Sequence, residues 1–397
     1  MTGNNPHTPF QYDPFDPAIQ ADPYPTYQAL RDDHPVYWSH ASRSWVLSRH
    51  TDVGAALGDP GTFSSASGIY PTPRGIDMTQ LFLPMMIMTD PPRHSQLRAL
   101  VSRAFTPRRI SRLEAGVDTL ANQLLDDATA GTECDVVTEV AGPLPAMVIA
   151  DLLGVPGTDR HQFREWSTAL VQARPDEQPG GPGMTAAAAL YSYFEAFLEQ
   201  RRREPKDDLL SDLVGAEVNG QRLSQDELLG FCLLLLVAGH ETTSNLISNG
   251  TVILAQNTAA RERLVADPSL IPQAVEELLR FDSPVQGLSR TLTRDVTLHD
   301  TPLAEGDNVL LLYGSANRDE RAFPNPATFD LDRTVDNQLA FGHGIHFCLG
   351  AALARLEARI AFTGLLQRIP TWHVDLTNAT RLTSGPIRGY ASLRITW

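Results

Sequence analysis

The order of apolar and polar residues along the chain predicts a mainly helical protein. From about residue 110 onward, apolar residues recur three and four positions apart, as on one face of an α-helix, in segments such as LEAGVDTLANQLLDDATA, AAAALYSYFEAFLEQRRR, PQAVEELLR and GAALARLEARIAFTGLLQRI. Alternation typical of strands is confined to short pieces such as YWSHASRSWVLSRH, DNVLLLYG and ASLRITW. We therefore expect an α+β fold class in which helices dominate and the β-sheets are small and peripheral.

The chain shows no internal repeat and no long linker, so we expect residues 1–397 to form a single domain. Residues 68–90 and 172–185 are rich in Pro and Gly, and loops of this kind often cover a site. The longest uninterrupted apolar run, Phe231 to Gly239, has nine residues, whereas a membrane-spanning helix needs about 20. The opening residues also lack the features of a secretory signal. These observations predict a cytoplasmic protein without a membrane span.

Composition and charge narrow the functional classes. With 42% apolar and 20% charged residues the chain is typical of folded proteins, and its net charge of −15 argues against general nucleic-acid binding. One segment is an exception, since the residues between Pro91 and Leu113 include no acid and several arginines: Arg93, Arg98, Arg103, Arg108, Arg109 and Arg112. A solvated helix face is the simplest interpretation of this basic segment, unless another motif gives it a function.

Cysteine chemistry depends on one thiol, because the three cysteines are too far apart in sequence for a CxxC site and do not suggest a disulfide framework. Cys348 lies in FGHGIHFCLG, residues 341–350, directly before a helical segment. The glycines allow close backbone approach, and the positive end of a helix beginning near Leu349 lowers a thiol pKa, which favours the thiolate that a metal needs. A buried structural cysteine is the alternative. A zinc site of His343, His346 and Cys348 would lack a fourth ligand.

A long helix carries the second motif. Ser224 followed by Glu227 matches a capping box, which predicts a helix from there to about Gln256. Within it, AGHETT places Glu241 and Thr242 in an otherwise apolar stretch. A threonine hydroxyl can donate to the carbonyl four residues earlier, so this turn can open into a polar groove. A polar stripe that faces another helix is the alternative.

The cysteine segment resembles the haem-binding loop of the cytochrome P450 family, with Phe341, Gly344, Cys348 and Gly350 at the expected spacing. TDPPRHSQLRALVSRAFTPRR, AGHETT, EELLR and ANRDERAFPNPATFDLDR resemble further family segments in the same order. The resemblance implies the P450 fold, with haem b between the long central helix and the cysteine loop. Cys348 would then be the metal ligand, the thiolate that holds the haem iron.

The resemblance also implies roles for the helix motifs. Ala238 would line the haem pocket, Glu241 would help to deliver protons, and Thr242 would hold the water that passes them on, so that Glu241 and Thr242 are the predicted catalytic residues. In EELLR, a surface ion pair is the common explanation of two charges three positions apart. Family membership instead implies a buried structural pair of Glu277 and Arg280, joined by Arg333.

Haem carries two propionates, and buried anions need cations or hydrogen-bond donors. The positions that match propionate-binding residues of the family are His94, Arg98, Arg290 and His346. The basic segment gains a function as well. Together with Arg355 and Arg359 it would form a face that docks an acidic electron donor, with charge steering the encounter.

Family membership implies a monomeric haem-thiolate monooxygenase that inserts one atom of O₂ into a C–H or C=C bond of an apolar small molecule. Its substrate would be a lipid or fatty acid, terpenoid, steroid or polyketide, and its electrons would come from a separate ferredoxin and ferredoxin reductase. Arg74 could contact a substrate carboxylate. A non-catalytic haem-based ligand-binding or sensor protein is the alternative from another class.

Overall fold

The computed structural model describes residues 10–70, 83–102, 105–171, 180–217, 220–382 and 385–397. Helices dominate these residues, as the sequence predicts. Their bounds are α1 Pro17–Ala21, α2 Tyr24–Asp33, α3 His50–Gly58, α4 Arg93–Ser102, α5 Pro107–Ala128, α6 Pro143–Leu153, α7 Arg160–Val171, α8 Pro182–Arg203, α9 Leu209–Gly215, α10 Gln225–Gln256, α11 Thr258–Ala266, α12 Ile271–Phe281, α13 Tyr313–Ala316 and α14 Ala351–Arg368.

The strands are short, and the largest sheet contains five of the twelve strands in the described residues. Their bounds are β1 Val36–Ser39, β2 Ser44–Leu47, β3 Phe63–Ser64, β4 Glu133–Asp135, β5 Leu288–Leu292, β6 Val296–Leu298, β7 Thr301–Leu303, β8 Asn308–Leu311, β9 His373–Val374, β10 Thr380–Arg381, β11 Tyr390–Ser392 and β12 Arg394–Thr396. A sheet of five strands has the order β1-β2-β8-β5-β3, in which only β2 and β8 pair in parallel. The strand order β4-β12-β9 forms a second sheet, and β6-β7 and β10-β11 pair separately.

Helix α10 runs through the core and begins where the sequence predicts. The Glu227 amide donates to Ser224 Oγ (3.2 Å) and the Ser224 amide donates to Glu227 Oε2 (2.8 Å), which completes the capping box. The expectation that no helix spans a membrane rests on the length of uninterrupted apolar runs alone. By length and mean hydropathy α10 meets the requirement for a span, and 61% of its apolar window is buried inside the protein. Such burial is typical of a helix at the centre of a folded core.

Helix α14 packs closely on α10, and this contact positions the cysteine loop at the N-terminal end of α14. Gly250 makes the approach possible, because a Cβ there would lie 2.4 Å from Cζ of Phe362. A larger residue would push α14 away from α10. The close packing therefore brings the loop before α14 against the central helix.

The basic segment forms two helices rather than the single helix expected to carry Arg98 to Arg112. Helix α4 ends at Ser102 and α5 begins at Pro107. Proline is favoured at the first position of a helix, because an N–H group at that position would have no hydrogen-bond partner within the helix. The arginines of this segment therefore do not share one continuous helical face.

The EELLR motif forms a buried brace, as the resemblance implies. Arg280 donates to both carboxylate oxygens of Glu277 at 2.7 Å, and neither side chain is exposed. Arg333 Nε lies 3.2 Å from Glu277 Oε1, so the third member also joins the pair. Arg280 further donates to the carbonyls of Asn317 and Pro326, which ties α12 to the segment that leads into the cysteine loop.

Candidate functional site

A large cavity separates the middle of α10 from the cysteine loop. It contains about 1460 Å³ of space not filled by atoms. Ala238 and Thr242 line it from α10, while Cys348 lines it from the loop. The structure therefore brings together the two motifs that lie about 100 residues apart in the sequence. Glu241 is not among the lining residues.

The cysteine loop is held open by its glycines. Gly344 has a φ of +70°, and a Cβ there would lie 2.5 Å from the carbonyl oxygen of Leu57 in α3. Only glycine combines this backbone conformation with so close an approach. The amide of Cys348 donates to the carbonyl of Phe341 (2.9 Å), which closes the loop around the thiol.

The surroundings act on the pKa of Cys348 in two directions. Burial raises the pKa above its usual value, while the amide of Gly350 and the positive charges of Arg98 and Arg355 lower it. The expectation that the helix end favours the thiolate therefore holds for one contribution only, and burial outweighs it. Because coordination to a metal deprotonates a thiol outright, Cys348 would be a thiolate if it held a metal ion.

Four basic side chains gather at one side of this cavity, and all four were predicted to bind propionates. His94 is 1% exposed, and neither of its ring nitrogens has a hydrogen-bond partner. His346 stacks obliquely on it, with ring centroids 4.3 Å apart, and its buried Nε2 is also without a partner. Arg290 is 4% exposed and donates to the carbonyl of Ser289 (2.8 Å), while Arg98 lines the cavity.

Neighbouring positive charges disfavour protonation of the two histidines in this cluster. Burial and then the charges of Arg290, His94 and Arg98 lower the pKa of His346 to about 3. Burial also lowers the pKa of His94, assisted by Arg98 and opposed by Asp90. Unpaired buried donors of this kind are costly, and carboxylates would satisfy them. The donor set therefore fits the two propionates of haem, and Cys348 fits its iron.

The acid and the alcohol of AGHETT differ in their surroundings. The hydroxyl of Thr242 donates to the carbonyl of Ala238 (2.6 Å), the bond expected from the sequence. Burial raises the pKa of Glu241 from 4.5 to about 7. Burial, and after it the charge of Glu241, raise the pKa of Tyr70 to about 12. Glu241 can therefore gain or lose a proton near neutral pH beside the turn that lines the cavity.

A carboxyl in the cavity wall was not predicted from the sequence. Glu357 of α14 is 2% exposed, lines the cavity and has one oxygen, Oε2, without a partner. Burial alone raises its pKa from 4.5 to about 8. In the sequence Glu357 stands among helix-forming residues and resembles a surface acid. Only the packing of α14 reveals its burial.

Several arginines of the proposed docking face already form ion pairs within the protein, so fewer of their charges are available to a partner than the sequence suggests. Arg93 forms a two-pronged ion pair with Glu227, and Arg109 pairs with Asp212. On α14, Arg355 pairs with Glu276 and Arg359 pairs with Glu114, so both charges are already balanced. Arg108 and Arg112 are exposed on α5, and Arg103 and Arg74 lie outside the described residues.

The zinc alternative finds no site. His343, His346 and Cys348 are all described, yet no three His, Cys, Asp or Glu side chains in the described part of the chain come close enough to share a metal ion. A single cysteine ligand would suit haem iron, because the macrocycle itself supplies ligands to the iron.

Comparison with known proteins identifies the family. The family model for cytochrome P450 matches residues 183–377. A putative cytochrome P450 123 of Mycobacterium tuberculosis is 42% identical over 387 residues, which is 96% of either chain. Vitamin D(3) 25-hydroxylase of Pseudonocardia autotrophica is 41% identical over 392 residues, covering 97% of this chain and 96% of that protein.

Solved structures agree with this result. The cytochrome P450 PksS of the bacillaene polyketide synthase from Bacillus subtilis has a TM-score of 0.89 at 35% identity, over 97% of this chain and 99% of that one. CYP109E1 of Bacillus megaterium in complex with testosterone has a TM-score of 0.85 at 37% identity, over 94% and 99%. The predicted P450 fold is therefore confirmed, and the chain belongs to the cytochrome P450 family of haem-dependent monooxygenases.

Proposed function

We propose that Cys348 is the thiolate ligand of the haem iron and that His94, Arg98, Arg290 and His346 hold the haem propionates. The observation that carries this proposal is the basic cluster itself. Both ring nitrogens of His94 and Nε2 of His346 are buried without a hydrogen-bond partner, and three members of the cluster line the same cavity as Cys348. Two carboxylates delivered with the cofactor would satisfy them, which no described side chain does.

The catalytic roles follow from the α10 turn. When bound, haem with a thiolate ligand supplies the chemistry of O₂ activation, in which one oxygen atom enters the substrate and the other leaves as water at the expense of two electrons and two protons. We assign Thr242 to hold a water in the cavity through its hydroxyl. Glu241, with a pKa of about 7, takes protons from solvent near neutral pH and hands them to that water.

The proposed substrate is an apolar small molecule, such as a lipid or fatty acid, a terpenoid, a steroid or a polyketide. Support comes from the cavity wall, in which apolar side chains predominate: Met86, Ile87, Phe231, Leu235, Val285 and Leu288. Flexible methionine adapts to different apolar shapes. The names given to three similar family members or their structures refer to vitamin D(3), to a complex with testosterone and to a polyketide synthase, which is the same chemical range.

The proposed electron donor is an acidic ferredoxin with a separate reductase. Arg108 and Arg112 are exposed and take part in none of the ion pairs formed by the described residues, so their charge is free to steer an acidic partner. We expect reversal of both, Arg108→Glu with Arg112→Glu, to slow reduction by ferredoxin and to weaken its dependence on salt. The matched reversal Arg203→Glu on α8 should change neither. Equal rates in all three proteins would contradict this docking face.

The remaining parts of the proposal concern the whole chain. We propose one P450 domain over residues 1–397, acting as a monomer in the cytoplasm. The cysteines Cys134, Cys232 and Cys348 are all free thiols, which suits a reducing compartment.

The deciding experiment is the absorption spectrum of the reduced protein with carbon monoxide. We expect the long-wavelength Soret band of a thiolate-ligated haem in the wild type and its loss in Cys348→Ser. Cys134→Ser is the matched control, since Cys134 is 5% exposed in the core far from the cavity, and it should keep the band. A short-wavelength band in intact wild-type protein would overturn the assignment and favour a haem carrier or sensor.

A further inference from the structure

A histidine of the AGHETT motif joins three helices behind the cavity. His240 is 3% exposed and does not line the cavity. Its Nδ1 lies 2.7 Å from the hydroxyl of Ser167, a residue of α7 that is completely buried. The ring also forms a hydrogen bond with the backbone of Gly142, directly before α6. His240 thus connects α10 to α6 and to α7 at the residue before Glu241.

The partners determine which nitrogen of His240 carries the proton. The carbonyl of Gly142 can only accept a hydrogen bond, and Nε2 is the ring atom that faces Gly142. Nε2 therefore donates to Gly142, and Nδ1 accepts from the hydroxyl of Ser167. Burial lowers the pKa of His240 to about 4, so the ring is neutral at neutral pH. A neutral ring with both nitrogens in hydrogen bonds is a fixed anchor rather than a carrier of protons.

The same turn of α10 is fixed by packing. A Cβ on Gly239 would lie 2.4 Å from Cδ1 of Ile149, so α10 and α6 touch at this glycine, and both residues line the cavity. Ala238 and Thr242 lie one turn apart and line the cavity as well. Because a helical turn rotates as a unit, this contact and the hydrogen bond of His240, on the side of the helix away from the cavity, together determine where Ala238 and Thr242 point.

We propose that His240 is a positioning residue, whose hydrogen bonds to Ser167 and Gly142 fix the rotation of the α10 turn that carries Glu241 and Thr242. The bond to Ser167 also makes this turn dependent on the position of α7. The inference rests on the proposed function, in which Glu241 and Thr242 manage the protons of the reaction. His240 itself touches neither cofactor nor substrate.

The first test is Ser167→Ala in the haem-loaded enzyme. This change removes one hydroxyl and leaves Nδ1 of His240 without its donor. We expect the share of electrons lost as hydrogen peroxide to rise by a factor of about two to five, well below the roughly 100-fold or greater effect of losing a proton donor. We also expect the C–O stretching band of the ferrous carbon monoxide complex to shift, because that band senses polar groups near the ligand.

Thr251→Val is the matched control, since it removes a buried hydroxyl from α10 itself. The Thr251 hydroxyl donates to the carbonyl of Ile247 (2.8 Å), about two turns beyond the end of the motif. If His240 acts by position, Thr251→Val lowers the melting temperature but leaves the peroxide share and the C–O band unchanged. Equal changes in both variants would reduce the Ser167 bond to a structural contact and overturn the proposal.

A double mutant separates this inference from the proposed function. If Ser167 acts through Thr242, adding Ser167→Ala to Thr242→Ala does not further raise the share of electrons lost as hydrogen peroxide. The proposal would be overturned if Ser167→Ala raised the peroxide share as much in the Thr242→Ala background as in the wild type. It would also be overturned if Thr242→Ala raised the peroxide share and Ser167→Ala alone did not. If Thr242→Ala is itself tightly coupled, the proton role of Thr242 fails instead. Ser167→Thr keeps a hydroxyl at this position and should therefore keep the wild-type C–O band.

Discussion

Two buried clusters of charged side chains differ in how far the protein itself completes them. Around Glu277, both carboxylate oxygens and the guanidinium of Arg280 are paired, and Arg333 adds a further bond. Around His94 and His346, three ring nitrogens are buried without a partner. The first cluster is closed and the second is open.

The difference separates structure from function. A buried ion pair stabilises a fold only when its geometry satisfies almost every polar atom, and the cluster on α12 meets that condition. An open cluster of basic groups costs stability unless an anion completes it. The open cluster is therefore where a bound anion, such as the proposed haem propionates, would stabilise the fold, whereas the closed cluster is stabilised by the protein's own groups.

The largest expected effect comes from breaking the closed cluster. Arg280→Ala leaves the carboxylate of Glu277 buried beside Arg333 alone, and removing one partner of a buried pair costs about 3–5 kcal/mol. We expect the free energy of unfolding in urea to fall by that amount, with loss of bound haem. Arg280→Lys should recover little of the loss, because one ammonium cannot also reach the carbonyls of Asn317 and Pro326. Full stability in Arg280→Ala would show that the pair is not structural.

A third buried group, Glu357, sharpens the comparison. It forms no ion pair with the described residues, and, being an acid itself, it would not be satisfied by a bound anion. Its pKa in the folded protein, about 8, lies above the ordinary 4.5. The folded state therefore holds a proton that the unfolded state has lost between these pH values, and wild-type stability falls as pH rises through this window. Glu357→Gln stays neutral, so its stability relative to wild type should rise across the window by a few kcal/mol at most, then level off.

Denaturant unfolding at a series of pH values measures this difference. The same substitution at the exposed Glu262 of α11 provides the baseline. A stability difference between Glu357→Gln and wild type that stays constant from pH 4.5 to 8 would mean that the buried carboxyl is paired, for example by the cofactor or by water.

The next largest effect is expected from removing one member of the basic cluster. Arg290→Ala should weaken haem binding by a factor of about 10 to 100, since a hydrogen bond to a charged group contributes about 1.5–3 kcal/mol. Competition for haem with a scavenging protein measures it, with Arg290→Lys as the control that keeps the charge. In the haem-free protein the same change relieves repulsion on His346, so stability should not fall. A loss like that of Arg280→Ala would erase the distinction between the two clusters.

Local signals in the sequence were sufficient for the central helix, whereas the burial of the closed cluster was implied by the family resemblance. Glu277 and Arg280 are three positions apart, and the capping box of Ser224 and Glu227 is complete within four residues. The sequence resemblance also named the four basic residues that the fold brings to the cavity. What it could not supply was whether an anion from the protein would meet them.

Features that depend on distant packing escaped sequence analysis. The burial of Glu357 requires α14 to lie against α10, and the ion pair of Arg355 with Glu276 joins residues 79 positions apart. The start of a new helix at Pro107 was a local signal, but the run of arginines across it suggested one helix. The link between Ser167 and His240 spans 73 positions and has no pattern in the sequence.

The smallest effect should come from an ion pair that resembles the closed cluster in chemistry but not in burial. Arg359 and Glu114 lie 2.6 Å apart with about a third and a half of their side chains exposed. Water screens both charges, so Arg359→Ala should change the free energy of unfolding by at most about 1 kcal/mol, against several for Arg280→Ala. Raising the salt concentration should shrink the difference for Arg359 and leave that for Arg280 nearly intact, because salt screens exposed charges far more than buried ones. A large, salt-independent loss in Arg359→Ala would mean that burial does not distinguish the two pairs.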